Sequence, residues 1–263
     1  MTENKDRNRF LEPVSGDELS NDLDHTKEAR IFYAEYWGKT LSDSVLDYDG
    51  SVGNYRGETI FSFNTIAGCM IWLTDFDGRM PPTGTLDCQE KRLDIIKEYA
   101  PDNISEQFEK FHGIYHTLAN FMPLIRGEVH LNLVKGGRPY HDFPDLFLKD
   151  LRNRMPEKVF CDKINNAYFS RYVSWDEFIK RNYIQDFFTD DTFMEVLQLA
   201  PSDDVGMPYS YAMKIKDDDE KKEKCIGCIE SFLTNATKII EKRAERLRNA
   251  EPSIVRNKAF DRW

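Results

Sequence analysis

An apolar stripe at helical spacing in the middle of the chain constrains the fold more than any other feature. Its members are separated by four, three, four, three and four residues: Ile104, Phe108, Phe111, Tyr115, Leu118 and Met122. This spacing places all six on one face of an α-helix, with that face turned toward a core. Pro123 disfavours helical continuation beyond it. The sequence therefore predicts a central buried helix of about five turns that ends at Pro123.

A second long helix is predicted from Cys225 to Asn249. One apolar seam runs along it, formed by Ile226, Ile229, Leu233, Ala236, Ile240 and Leu247. Charged residues lie off the seam, so packing beside the central helix is its simplest use. The alternative partner is the same helix of a second copy, although the seam is short for a coiled coil. Further helices are predicted at 25–41, with a stop at Gly38, and at 86–99, 144–154, 175–188 and 192–199.

The first third of the chain favours β-structure instead. Turn-forming clusters such as Asp47-Tyr48-Asp49-Gly50 alternate there with β-favouring residues. Strands are predicted at 59–64 and 66–74, and the second is an almost unbroken apolar run. The predicted fold class is therefore α+β and helix-dominated, with a small antiparallel sheet from the N-terminal third packed by a helical lobe.

The length of 263 residues lies near the upper limit that one hydrophobic core organises. We expect a single globular domain at 25–250. Residues 1–24 are mostly polar and lack apolar periodicity, which predicts a mobile or loosely docked N-terminal arm. Residues 251–263 form a basic tail that also carries Phe260 and Trp263, a composition seen in nucleic-acid contacts. Docking of these two rings onto the body is the alternative.

The formal net charge of −10 disfavours broad adhesion to nucleic acid or to anionic lipid. Residues 238–263 depart from this balance, with eight Lys and Arg against four Asp and Glu, so a local nucleic-acid contact stays open. No apolar run reaches the length of about 18 residues that a membrane span needs. No apolar segment follows the polar first residues, as a secretory signal would require. We therefore expect a cytoplasmic protein without membrane contact.

The five cysteines are an odd number scattered through the chain, which favours free thiols in a reducing compartment. Cys225 and Cys228 form an isolated Cys-x-x-Cys pair. The context of a redox motif or of a zinc ribbon is missing around this pair. Two helix residues that face the core are predicted here, with a thiol made reactive by a helix N-terminus as the alternative.

Four of the five histidines fall within residues 108–145. His112 and His116 are four residues apart, a spacing that places two imidazoles on one helix face in many metal sites. Asn120 extends the same face by another turn. A helix in this segment would therefore present two candidate metal ligands and an amide in one row.

Further ligands for such a metal could come from His141 and Asp142, or Asp145, if the turn at Gly136-Gly137 folds this segment back. A His/His/His/Asp set suits zinc, manganese or iron. Zincin-type proteolysis is excluded, because Gly113 stands where that motif has its glutamate. The alternative is that the imidazoles hydrogen-bond backbone carbonyls at a helix end and hold the following loop.

The segment Asn120-Phe121-Met122-Pro123-Leu124, followed by Leu131-Asn132-Leu133-Val134-Lys135, resembles the second half of an HNH-type nuclease motif. In that family an Asp-His or His-His pair on an upstream strand supplies a metal ligand and the general base. The predicted upstream strands contain no histidine. The resemblance implies metal-dependent phosphodiester cleavage and puts Asn120 forward as the residue that orients a ligand or phosphate.

A longer resemblance covers roughly residues 40–200. It is carried by 62–73, 88–99, Tyr115 to Leu124, Leu131-Asn132 and His141-Asp142-Phe143. These segments are similar to a family of uncharacterised bacterial proteins known only as a domain of unknown function. The family has no established activity, so the resemblance implies a prokaryotic or phage origin and little else.

Two hypotheses about function follow from these observations. The leading one is a protein without chemistry of its own and without a cofactor, which binds a protein partner or a second copy of itself. The chain has no Walker A loop, dinucleotide fingerprint or nucleophile elbow. The rival is a phosphodiesterase or nuclease, of the kind found in defence or toxin systems, that holds zinc or manganese through His112, His116, His141 and Asp142.

Overall fold

The computed structural model describes residues 8–18, 23–41, 55–61, 101–125, 172–189, 192–193 and 218–252, with the single positions 91, 94, 97, 98, 148, 152, 153 and 155. Four α-helices are bounded in this part of the chain: α1 Lys27–Leu41, α2 Asp102–Tyr115, α3 Trp175–Arg181 and α4 Asp218–Asn249. Its strands are short: β1 Tyr55–Thr59, β2 Phe121–Ile125, β3 Phe188–Thr189 and β4 Thr192–Phe193. None of these helices combines the length and apolarity that crossing a bilayer requires.

The predicted α+β class, with a small sheet from the N-terminal third, is wrong. Helices dominate the described residues, and within them the first third supplies a single strand, β1. The partner of β1 is β2, in the middle of the chain, with Thr59 opposite Phe121 and Tyr55 opposite Ile125. The strand predicted at 59–64 overlaps β1 only at Thr59. Its pairing partner is a distant segment of the chain and not a neighbouring strand. The predicted strand at 66–74 lies outside the described residues.

Helix α1 confirms the helix predicted at 25–41 but differs from it in burial. Every residue from Ile31 to Gly38 is buried, so the helix has no exposed polar face in this stretch. A helix enclosed on all sides belongs in the middle of a core rather than at its edge. Gly38 does not stop the helix, which continues to Leu41. Its aromatic side chains pack on one another and on the preceding segment, as in the edge-to-face contact of Phe32 with Trp37 at 5.2 Å between ring centroids.

Helix α2 confirms the first part of the central stripe and corrects its end. Its buried residues are Ile104, Phe108, Phe111 and Tyr115. The backbone then leaves the helical region at His116, with φ −100° and ψ 64°, and residues 118–120 form a 3₁₀ turn before β2. Thr117 Oγ1 donates to Ile114 O at 2.9 Å, and Asn120 Nδ2 donates to Tyr115 O at 2.8 Å. Because these side chains satisfy carbonyls at the helix end, the helix stops two turns before Pro123.

Helix α4 lies beside α2, as the apolar seam predicted. Ile229, Leu233, Ala236, Ile240 and Leu247 are buried, and Ile226 is partly buried. Polar contacts flank the seam: Asn103 Nδ2 donates to Glu230 Oε1 at 2.8 Å, and Lys110 pairs with Glu241 at 3.2 Å. The partners advance in the same direction along both helices, so α2 and α4 run parallel.

The N-terminal segment is packed against the core over residues 8–18. Asn8 accepts a hydrogen bond from Phe10 N and caps a 3₁₀ turn at Arg9–Leu11. Phe10 and Val14 are buried, and Val14 N donates to His116 O at 2.8 Å. Over these residues, the segment predicted as a mobile or loosely docked arm is docked on the core. A few well-placed apolar side chains fix the segment although it has no periodicity.

The remaining predicted helices are described only in part. The helix expected at 175–188 ends at Arg181, and a 3₁₀ turn at Gln185–Phe187 follows it. Residues 192–193, expected to begin a helix, form β4 instead. Positions 91, 94, 97 and 98 are helical, as are 148, 152 and 153, which agrees with the helices predicted at 86–99 and 144–154.

Candidate functional site

The three predicted site residues that the structure describes do not share one helical face. His112 is half-buried in the last turn of α2, and His116 follows the helix end at 8% exposure. The His116 ring stacks on Tyr115, with centroids 4.2 Å apart. Asn120 lies beyond the change of backbone direction, in the 3₁₀ turn. The row expected on one continuous helix is therefore broken between the two histidines.

Asn120 has no exposed surface, and its side chain joins two elements. Its Oδ1 accepts from Phe61 N at 3.0 Å, while Nδ2 donates to Phe61 O at 3.1 Å and to Tyr115 O at 2.8 Å. These bonds hold the end of α2 against Phe61, the second residue after β1. The amide acts as a fixed connector in this arrangement.

The proposed metal ligands cannot be assembled from the described residues. His141 and Asp142 lie outside them, as do His130 and Asp145. Within the described part of the chain, no three His, Cys, Asp or Glu side chains lie close enough together to hold a metal ion. The zinc or manganese site therefore stays a prediction.

Arg243 is a buried charged residue that the sequence pattern did not identify. It lies in α4 at 1% exposure and donates to three backbone carbonyls: Asn182 O at 3.2 Å, Ala119 O at 2.5 Å and Phe121 O at 3.0 Å. Burial lowers the pKa of its guanidinium to about 9, so the group stays charged at neutral pH. Its Nη2 has no hydrogen-bond partner in the described part of the chain. A lone arginine between Ile240 and Leu247 on an apolar seam was the signal that could have identified it.

The end of α3 has an unusual backbone conformation next to this arginine. Tyr183 has φ 57°, in the left-handed region where glycine is the usual residue. Tyr183 N donates to Lys180 O at 3.3 Å, and Ile184 N donates to Ile179 O at 3.0 Å, which is the hydrogen-bond pattern of a Schellman motif. The Tyr183 ring packs edge-to-face on Trp37 at 5.8 Å. Packing against α1 therefore offsets a backbone strain of about 1 kcal/mol.

Asn182, the residue before this tyrosine, is also buried and fixes the same corner. Its Oδ1 accepts from Trp37 Nε1 at 3.0 Å, and its Nδ2 donates to Phe178 O at 2.8 Å. Its own carbonyl accepts from Arg243. The end of α3 is therefore held by α1 and α4 together.

A surface depression of about 620 Å³ opens beside this corner. Its lining consists of Glu177, Lys180, Arg181, Tyr183, Gln185, Arg246 and Asn249. Three cationic side chains face one carboxylate in this lining, whereas the whole chain carries a net charge of −10. The volume lies within the range of about 300–1,000 Å³ that small-molecule sites occupy.

Ion pairs hold two of the three cations in place. Arg246 forms a two-pronged pair with Asp186, which raises the pKa of Arg246, and Lys242 lies 3.8 Å from the same carboxylate. Arg181 pairs with Glu177 at 2.5 Å. Lys180 forms no ion pair with a described carboxylate.

The lining also contains one carboxylate and one buried amide oxygen, of Glu177 and Gln185. Glu177 Oε2 accepts from Val173 N at 2.5 Å, and Glu177 N donates to the capping hydroxyl of Ser174 at 3.2 Å, so this carboxylate is tied to the start of α3. Gln185 Oε1 is buried and has no hydrogen-bond partner among the described residues. The depression therefore offers fixed charges together with an unsatisfied acceptor.

Comparisons with protein-family models, with curated proteins and with solved structures find no match to this chain. The resemblances to the HNH motif and to the uncharacterised bacterial family stay predictions.

Proposed function

We propose that this chain acts by binding another molecule and that the depression beside Tyr183 is a site where it binds. The observation that carries this proposal is a depression of about 620 Å³, lined mainly by charged and amide residues, on a corner that three helices fix. A site held in advance loses little conformational entropy when a ligand arrives. Its ligand is polar, since six charged or amide side chains surround a single aromatic ring.

The contacts of the candidate catalytic residue support binding over catalysis. The amide of Asn120 is enclosed and bonded to two backbone segments, so orienting a substrate would require these bonds to break. A general base or ligand-orienting group needs to reach the reacting atoms. Asn120 is therefore not accessible for the role that the nuclease hypothesis gives it.

The low apolar content of the described surface indicates what kind of partner it can bind. Val173 is the one large apolar side chain that stands well exposed among the described residues, at 84%. Stable homodimer interfaces have a more apolar buried core than this surface offers. The predicted self-association therefore gains no support from the described faces, and we propose a polar ligand or partner. We also propose a cytoplasmic location, which the odd and scattered cysteines favour.

A ligand screen on the full chain tests the binding proposal. Polar metabolites, charged and neutral, are screened by ligand-observed nuclear magnetic resonance against the wild type and against Asn249→Trp, whose larger side chain obstructs the rim. We expect compounds that bind the wild type and are lost in the variant. Binding that persists unchanged in Asn249→Trp, or no binding at all, overturns the proposal.

The enzymatic alternative is tested on the same preparation. Metal content is measured by elemental analysis, and plasmid and RNA cleavage are assayed with manganese and with magnesium. We expect no stoichiometric metal and no cleavage. Stoichiometric metal and cleavage that are both lost in a folded His112→Ala, His116→Ala variant would establish the nuclease hypothesis instead.

A further inference from the structure

We infer that the ligand of this depression is a small organic anion, whose phosphate or carboxylate oxygens are bound by Lys180 and Arg181 and whose hydroxyl or amine donates to Gln185 Oε1. This inference rests on the proposed binding function and names the class of its ligand.

The charge of the lining favours an anion. Lys180, Arg181 and Arg246 face the depression with Glu177 as the one opposing carboxylate. Lys180 forms no ion pair with a described carboxylate, so its ammonium charge is available. Arg181 gives one nitrogen to Glu177 and adds the permanent positive charge of its guanidinium to the lining. A concave surface concentrates the positive potential of these side chains. An anion is attracted there, whereas the acidic remainder of the chain repels it.

The other groups near the cations are already committed elsewhere. Asp186 is bound by Arg246 and lies 3.8 Å from Lys242, so this carboxylate is already neutralised by two cations. Glu177 is held by Val173 N at the start of α3. Both carboxylates can therefore stay in place while an anion binds to Lys180 and Arg181.

The end of α3 would ordinarily repel an anion, because unsatisfied carbonyls give a helix C-terminus a partial negative charge. Here the carbonyls of Phe178, Ile179 and Lys180 all accept hydrogen bonds. Asn182 Nδ2, Ile184 N and Tyr183 N are their donors. The left-handed conformation of Tyr183 allows these hydrogen bonds to form. They reduce the repulsion of an anion at the helix end beside Lys180 and Arg181.

Gln185 adds a requirement for a donor. Its buried Oε1 lacks a partner among the described residues, and leaving an acceptor unsatisfied costs free energy. A rotation of the Gln185 amide toward the depression would let a ligand with a hydroxyl or amine beside its anionic group satisfy this oxygen. The cavity volume suits a small molecule, whereas a nucleic-acid strand would also meet the repulsion of the net charge of −10.

The test measures binding of inorganic phosphate, citrate and ATP to the full chain by isothermal titration calorimetry, with glycerol as a neutral probe. We expect ATP or citrate to bind the wild type and to bind Lys180→Gln, Arg181→Gln about tenfold or more weakly. The matched control is Lys238→Gln, Arg248→Gln, which removes the same two charges from exposed positions of α4 outside the lining. We expect the control to bind as the wild type does.

A Gln185→Leu variant tests the donor requirement. We expect ATP and citrate, which carry hydroxyl groups, to lose affinity in this variant, and inorganic phosphate to be affected less. Equal loss of binding in the lining variant and in the control would mean that diffuse charge alone attracts anions, and would overturn the inference. Failure of every anion to bind the wild type would overturn it too.

The two proposals fail in different ways. Neutral compounds could bind the wild type and be lost in Asn249→Trp, while none of the anions binds. In that case the binding function stands and the proposed ligand class is wrong. If Asn249→Trp changes nothing for any compound, the binding function itself is wrong. Binding of a duplex oligonucleotide in preference to the small anions would assign the surface to nucleic acid and would also overturn the inference.

Discussion

Arg243 joins three parts of the chain through one buried guanidinium. Its acceptors are backbone carbonyls of the corner after α3, of the 3₁₀ turn and of β2. A buried charge is tolerated when hydrogen bonds compensate for lost hydration. The residue is therefore a tie between segments that are up to 124 positions apart in the sequence.

We expect Arg243→Ala to lower the free energy of unfolding by about 3 kcal/mol, because three buried carbonyls lose their donor and a cavity forms. Urea denaturation followed by circular dichroism measures the change. Arg248→Ala, an exposed arginine of the same helix, serves as the control and should change stability by no more than about 0.5 kcal/mol. Similar effects for both variants would contradict the role given to Arg243.

Among the secondary-structure elements, glycine is required for close packing in strand β1 but has open space around it in helices α2 and α4. Gly57 in β1 is buried, and a Cβ there would overlap Asp24 O and the Tyr33 hydroxyl. Tyr33 OH donates to that same carbonyl at 3.0 Å, and His25 Nε2 lies 3.1 Å from Gly57 O. The strand can approach α1 this closely only because residue 57 has no side chain.

Alanine substitutions test this contrast. We expect Gly57→Ala to destabilise the protein by about 1–3 kcal/mol, as overpacked core sites do. Gly113→Ala in α2 and Gly227→Ala in α4 add a Cβ to open space and should each stabilise by roughly 0.5–1 kcal/mol through helix propensity. Thermal unfolding of the three variants checks the signs. A Gly57→Ala variant as stable as the wild type would refute the close approach.

In the molecule as a whole, two buried tyrosines contribute to how the stability of the protein responds to alkali. Burial raises the pKa of Tyr36 and of Tyr183, whose rings are 5.9 Å apart. These two phenols keep their protons in the folded state at a pH where the unfolded chain has lost them. The folded state then binds more protons, so its stability must fall as the pH rises.

We therefore expect stability to be unaffected by these tyrosines below about pH 10 and to decline above it, as the pH passes through their raised pKa values. Denaturant midpoints measured across alkaline pH give the slope. Tyr36→Phe and Tyr183→Phe should each flatten it. Tyrosinate absorbance that rises at the ordinary pKa in all 12 tyrosines would contradict the burial of these two.

Several features were predictable because their causes are local. The stripe from Ile104 to Tyr115 and the seam from Ile229 to Leu247 follow the helical period, which neighbouring residues determine by themselves. The packing of α4 beside α2 follows from these two apolar faces. The geometry expected for Asn120 depended on a helix that ends earlier than its pattern suggests.

The sequence by itself determined the apolar faces of α2 and α4, since the spacing of apolar side chains acts within a few residues. Only the tertiary structure decided where α2 ends, which strand joins β2, and where the cations around the depression meet. Asn120 and Phe61 are 59 positions apart, and Arg243 and Ala119 are 124 apart. Contacts of that range depend on the path of the whole chain, and no local pattern specifies them.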